Sequence, residues 1–227
     1  MRSCIALAST VVIATPMIAG VAPRALAAPV EGGKGDGVVV SELANGGTGG
    51  YNDNFIEIAN WSNQPVDVTG WQLFRCTGTG TRASGPQNKL SGTIGAGEKW
   101  VFARESTQST IADADVKERY TVSLANQSYG AMLQNAQGKV VDAVAVQFPG
   151  TPNQACGEGT VLANTTDSKL GESFQRIQDT DNNAADFVRA PRTPGKDNAT
   201  ENSPAPKRGD VLISEVSHTG PDGEGLI

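Results

Sequence analysis

The chain has 227 residues, with 18 basic and 24 acidic side chains (a formal net charge of −6), 5% aromatic residues and 27 glycines. So acidic a surface excludes a general nucleic-acid-binding role, which needs clustered Lys and Arg against phosphates. His218, the only histidine, leaves no His-based catalytic set or zinc site. Abundant glycine with few aromatics suits short strands joined by many turns.

The first residues read as a secretory leader. Met1-Arg2 gives a short positive start, Ile5 to Ala22 is apolar but interrupted by Pro16, and Ala25-Leu26-Ala27 is a small-x-small cleavage site. Residues 1–27 are thus expected to be a signal peptide cut between Ala27 and Ala28, which makes the protein secreted and extracellular. Pro16, Gly20, Pro23 and Arg24 leave too short and too broken a stretch for a membrane anchor, and no membrane span is expected in the mature chain. Cys4, Arg2 and Arg24 leave with the leader, so the 18 basic residues fall to 16 against 24 acidic, a net of about −8. Residues 28–37 (APVEGGKGDG) form a flexible lead-in.

Strand signals start at Val38. Val38, Val40 and Leu43 open a β-branched run, Asn45 to Asn54 breaks it with Gly and Asn, and Phe55-Ile56-Glu57-Ile58 restarts it in apolar–polar alternation, which fits a sheet with one face buried. Asn63-Gln64-Pro65 turns the chain into Val66-Asp67-Val68, and Thr69-Gly70 turns it into Trp71-Gln72-Leu73-Phe74. Thr77 to Pro86 is a polar loop; its Gly78-Thr79-Gly80 lacks the Lys and the strand-to-helix setting of a phosphate loop. Leu90 to Ile94 and Gly95-Ala96-Gly97 lead into Lys99 to Phe102, a further strand after a glycine turn, while Ile111 to Arg119 reads as the one helical turn and Tyr120 to Leu124 as a strand. Ala131 to Gln134 and Lys139 to Val146 flank Asn135-Ala136-Gln137-Gly138 as a hairpin. Glu172 to Ile177, Phe187-Val188 and Thr193 to Asn198 close the unit. About nine short strands with almost no helix predict an all-β antiparallel sandwich.

Cys76 and Cys156 remain in the mature chain as an even pair in an oxidising compartment, and a disulfide is the simplest assignment. The alternatives are two free thiols or two metal ligands.

Together, the VSE run opening the first strand, FIEIAN, VDVTGWQL, GKVVDAV and the closing SFQR and TPGKDN resemble the lamin tail domain, in the family's order, over residues 38–198. The resemblance implies an immunoglobulin-like β-sandwich of the kind found in secreted bacterial proteins, with no catalytic role; the long Gly/Thr loop after Cys76 and the two cysteines depart from the pattern. Val38 to Leu43 recurs as Val211 to Val216, after a Pro- and charge-rich linker over residues 199–209. Residues 210–227 then read as the incomplete start of a second copy, since one strand cannot bury an apolar face alone. The chain is on that reading a piece of a longer protein.

Few residues carry chemistry. Glu42 and Glu57 lie on the first two strands and are placed to face each other, with Arg75, Arg104 and Arg176 as candidate partners; a structural network is the expected role. Asp179-Thr180-Asp181-Asn182-Asn183 opens like a calcium loop, but Ala184 and Ala190 stand where such a loop wants Gly and Glu, so a turn is expected and no metal. Four N-x-S/T sequons fall at Asn60, Asn126, Asn164 and Asn198. The expected function is a non-catalytic module for binding, targeting or spacing, with no cofactor and an unidentified extracellular or cell-surface ligand as partner. The alternative is the amino-terminal accessory region of a secreted nuclease- or phosphatase-type hydrolase whose active site lies beyond Ile227.

Overall fold

A computed structural model describes residues 37–152, 154–164 and 171–198. The expected signal peptide with its Ala27–Ala28 cleavage point, the lead-in except Gly37, the linker, the second copy and His218 lie outside these residues.

Thirteen strands follow in chain order: β1 (Val38–Ala44), β2 (Phe55–Asn60), β3 (Val66–Asp67), β4 (Gln72–Cys76), β5 (Asn88–Lys89), β6 (Thr93–Ile94), β7 (Lys99–Arg104), β8 (Val116–Tyr120), β9 (Tyr129–Gln134), β10 (Val140–Gln147), β11 (Leu162–Ala163), β12 (Glu172–Arg176) and β13 (Phe187–Pro191). They form a six-stranded sheet in the order β13-β12-β1-β2-β7-β8, a five-stranded sheet in the order β11-β10-β9-β4-β5, and the small pair β3-β6. The two large sheets pack as an immunoglobulin-like β-sandwich. Val40, Ile56, Ile58 and Phe102 meet Leu73, Leu133, Val144 and Val146 between them.

The outer face of the six-stranded sheet is covered too. Phe55, Val101 and Ala103, alternating with the inward residues, pack with Ile111 in a second apolar cluster. All seven residues of β1 and all six of β2 are therefore buried. A bulge between Val40 and Glu42 shifts the β1–β2 register. It turns Glu42 to the outer face and sends Leu43 into the sandwich, which is why the inward-facing apolar residues of β1 fall at 38, 40 and 43 rather than in strict alternation.

Two strands break the antiparallel expectation. β8 runs parallel to β7 and β11 parallel to β10, because the connections over 105–115 and 148–161 carry the chain back before it re-enters the sheet. The helical turn expected over Ile111–Arg119 is a single 3-10 turn, Asp113–Asp115, followed by β8. Pairing of Val116 with Val101, and of the next residues along β7, overrides the weak helical preference of the segment. The strand expected over Tyr120–Leu124 ends at Tyr120, where Asn54 accepts both the Tyr120 hydroxyl and the Leu124 amide and draws the chain off the edge. A four-residue helix, α1 (Asn183–Asp186), was not foreseen. At its start, Asn183 accepts the amides of Ala145 and Glu158 and donates to Ala143, docking the turn onto β10.

Gly130 on β9 is a close-approach glycine. A Cβ there would stand 2.2 Å from the Val144 carbonyl oxygen and 3.1 Å from the Cys76 sulfur. Gly130→Ala is expected to destabilise the domain by about 2 kcal/mol, as overpacking does. An unchanged urea midpoint would show that the sheet accommodates the methyl group.

Candidate functional site

Two buried polar networks and one exposed loop hold the chemistry-bearing groups. The first network lies on the outer face of the six-stranded sheet. Glu42 and Glu57 are directly paired across β1 and β2, and both are fully buried. Glu42 accepts the Ser173 hydroxyl (2.6 Å), the Thr193 amide (2.9 Å) and the Thr193 hydroxyl (2.9 Å). Glu57 accepts the Ser41 hydroxyl (2.5 Å) and the Gly195 amide (2.8 Å), and Lys99 Nζ stands 3.7 Å away. Burial raises both carboxyls, and the neighbouring Glu42 charge adds to the effect at Glu57, which is pushed up to about 7. The cation beside this pair is Lys99. Arg75, Arg104 and Arg176 are not its partners: Arg104 donates to the Tyr51 carbonyl and Arg176 belongs to the second network, while Arg75 lies on β4 in the other sheet.

The second network lies inside the sandwich, at the end of β12. Arg176 is fully buried and donates to Asp142 (2.6 Å) and Asp179 (2.7 Å), with Asp186 at 3.6 Å and the Phe187 ring 4.6 Å from the guanidinium carbon. The pairing has a backbone cause. On one side of β1, β12 pairs only with Glu42 and Leu43, so at Val40 the amide goes to Asp142 and the carbonyl accepts Arg176 Nε. The expected turn over Asp179–Asn183 is present, and Asp186 organises it by accepting the Thr180 amide, the Thr180 hydroxyl and the Asn182 amide. Glu158 sits beside Asp142, and burial together with the Asp142 charge pushes its carboxyl up to about 9. Asp142, Glu158 and Asp179 each bring an oxygen within 4.8 Å of the others, and Arg176 supplies positive charge to Asp142 and Asp179. Saturating calcium is accordingly expected to leave the melting temperature unchanged, and a rise of several degrees would show that the cation competes with Arg176.

The third element is the loop over Thr77–Pro86. A disulfide between Cys76 and Cys156 joins the end of β4 to the connection after β10, and Ala155 donates to the Gly80 carbonyl beside it. Thr79, Thr81 and Arg82 are exposed on this tethered loop, with Arg82 over the Phe74 ring. Of the sequon asparagines, Asn126 is exposed. Asn60, Asn164 and Asn198 are buried and spend their amides on the Ile94, Gln127 and Ser41 carbonyls.

Glu42, Glu57 and the two cysteines are legible in the sequence, whereas the roles of Lys99, Ser173, Thr193, Asp142 and Glu158 emerge only in the structure. The signal for three of these was present: Asp142 lies in GKVVDAV, Ser173 in SFQR and Thr193 in TPGKDN.

Clefts of about 200, 490, 340 and 310 Å³ open on the described surface, and the titratable residues lining these are Lys99, Glu105, Asp113, Asp115, Arg119, Arg192, Lys196 and Asp197. The family model that matches is that of the lamin tail domain, over residues 33–147. The matched stretch takes in β1 through β10, and with them Glu42, Glu57, Lys99 and Asp142. A search of curated proteins finds no match.

Proposed function

The chain belongs to the lamin tail domain family, and from that premise we propose that it is a secreted, non-catalytic β-sandwich module that serves binding, targeting or spacing. The observation that carries this reading is where the raised acids sit. Active sites place strongly perturbed groups in clefts, within reach of substrate. Here Glu42, Glu57, Glu158 and Asp179 line none of the clefts described above. They are instead bonded to the backbone, hydroxyl and guanidinium groups that hold the sheets and closing segment together.

Secretion is supported by the leader-like first residues and by a disulfide, which persists in an oxidising compartment. Among the described residues no helix is long and apolar enough to cross a membrane. The ligand-facing element we assign is the Thr77–Pro86 loop, fixed at its base by the disulfide, with exposed hydroxyls and one arginine for a polar extracellular or cell-surface partner. Beyond Asn198, the linker and the recurring VLISEV run support a tandem arrangement.

The test is direct. Purified protein, incubated with DNA and with bis(p-nitrophenyl) phosphate in the presence of divalent metal, is expected to show no turnover above the blank. Turnover that disappears on a single substitution within residues 38–198 would overturn the reading.

A further inference from the structure

After β13 the chain does not leave the sandwich but crosses the outer face of the six-stranded sheet. Three kinds of attachment hold it there. Arg192 reaches Asp53, donating to its carbonyl (3.1 Å) with its carboxylate at 3.5 Å. Thr193 and Gly195 give their amides to Glu42 and Glu57. Lys99 donates to the Lys196 carbonyl (2.8 Å), and Asn198 donates to the carbonyls of Ser41 and Arg176. The middle of the crossing therefore rests on two carboxyls that occupy facing positions on adjacent strands.

Charge at this spot does not balance when every group is ionised. Glu42, Glu57 and Asp53 are all fully buried, and facing them are the cations Lys99 from β7 and Arg192 from the crossing segment. Arg192 is committed to Asp53, whose carboxyl burial works to raise but which hydrogen bonds from the Thr110 hydroxyl, the Thr110 amide and the Gly49 amide hold below the usual range. Lys99 faces both members of the Glu42–Glu57 pair, and Arg192 also lies within electrostatic reach of Glu42, so two cations stand against three carboxyls. β12 contributes only the neutral Ser173 and Gln175, and Asp115, Lys196 and Asp197 are exposed to water. One proton on the pair restores the balance.

We propose that Thr193–Asn198 is a proton-gated strap: it stays seated on the sheet while the Glu42–Glu57 pair carries one proton, and it lifts locally when the pair is fully ionised. Lifting lets water reach Glu57, which then titrates as an ordinary carboxyl. The direction follows from linkage. A carboxyl titrating near 7 when covered and near 4.5 when open favours the covered state below 4.5, and that advantage is lost as pH rises through 7. Since Asn198 leads directly into residues 199–227, the strap sets how firmly the following chain is anchored to the sandwich, and mildly acid conditions anchor it most firmly.

Hydrogen exchange on the whole chain tests this, with protection factors corrected for the intrinsic pH dependence of exchange. Protection of the Thr193 and Gly195 amides is expected to fall about fifty-fold between pH 5 and 7.5 and then level off. Amides of β9 and β10 should not follow. In Glu57→Gln the fall should vanish. Lys99→Met, which removes the compensating cation, should move the transition to higher pH and serves if Glu57→Gln does not fold. Protection of the strap that is flat with pH, a fall of the same size in Glu57→Gln, or a transition unmoved by Lys99→Met would each overturn the proposal.

Discussion

Arg176→Met is expected to cost the domain about 3–5 kcal/mol of stability, the range for removing one partner of a buried ion pair. Methionine fills much of the space but leaves Asp142, 2% exposed, as a buried charge without its principal counter-ion. It also removes the donor to the Val40 carbonyl and the cation over Phe187. Much of the loss comes from the stranded carboxylate, so Asp142→Asn introduced together with Arg176→Met should recover part of it. The amide still accepts the Val40 N–H but carries no charge. Equilibrium urea unfolding of the two variants and the parent separates these contributions. A single-variant loss below about 1 kcal/mol, or a double variant no better than the single, would show that the network does not hold the sheets together.

Loss of the Cys76–Cys156 bond should be of similar size. The bond closes a loop with a sequence separation of 80, and the chain-entropy model puts its contribution at about 4.5 kcal/mol for a loop of that length. The loop contains every strand from β5 to β10, so the bond restricts the unfolded chain over most of the five-stranded sheet. Replacing both cysteines by serine, rather than one, avoids leaving a lone thiol. The double variant is expected to unfold at a clearly lower urea concentration. A stability within 1 kcal/mol of the parent would mean that the reduced chain keeps the loop closed by packing alone.

The sandwich was legible in the sequence because its strands carry their own signals: alternation in FIEIAN, the glycine turn before KVVDAV, and VVVSEL with its apolar spacing broken at Glu42. Even the bulge left a trace there, since Leu43 rather than residue 42 continues the inward face. The segment Ile111–Arg119 was misread because its helix-like composition is local, whereas the pairing with β7 that decides it is not. The polar networks were legible only in pieces. VSE, FIEIAN, GKVVDAV, SFQR and TPGKDN each stood out as strand or turn motifs. What composition and spacing do not convey is that Glu42 meets Thr193 and Arg176 meets Asp142, contacts 151 and 34 residues apart in the chain that strand order alone creates. Lys99 was invisible for the same reason: it begins β7 like any strand-end lysine, and only the covering segment turns it into a partly buried counter-charge.

The three buried sequon asparagines bear on how this protein can be made. In a host that attaches oligosaccharides as the chain emerges, the transfer precedes folding, so burial in the finished domain gives no protection. A sugar on Asn60, Asn164 or Asn198 would occupy the amide nitrogen that must donate to Ile94, Gln127 or Ser41, and would place a bulky polar group where no solvent reaches. Only Asn126 tolerates one. Production in a glycosylating cell line is therefore expected to yield a misfolded fraction that Gln substitution cannot cure without also disturbing the fold, whereas a non-glycosylating host avoids the modification altogether.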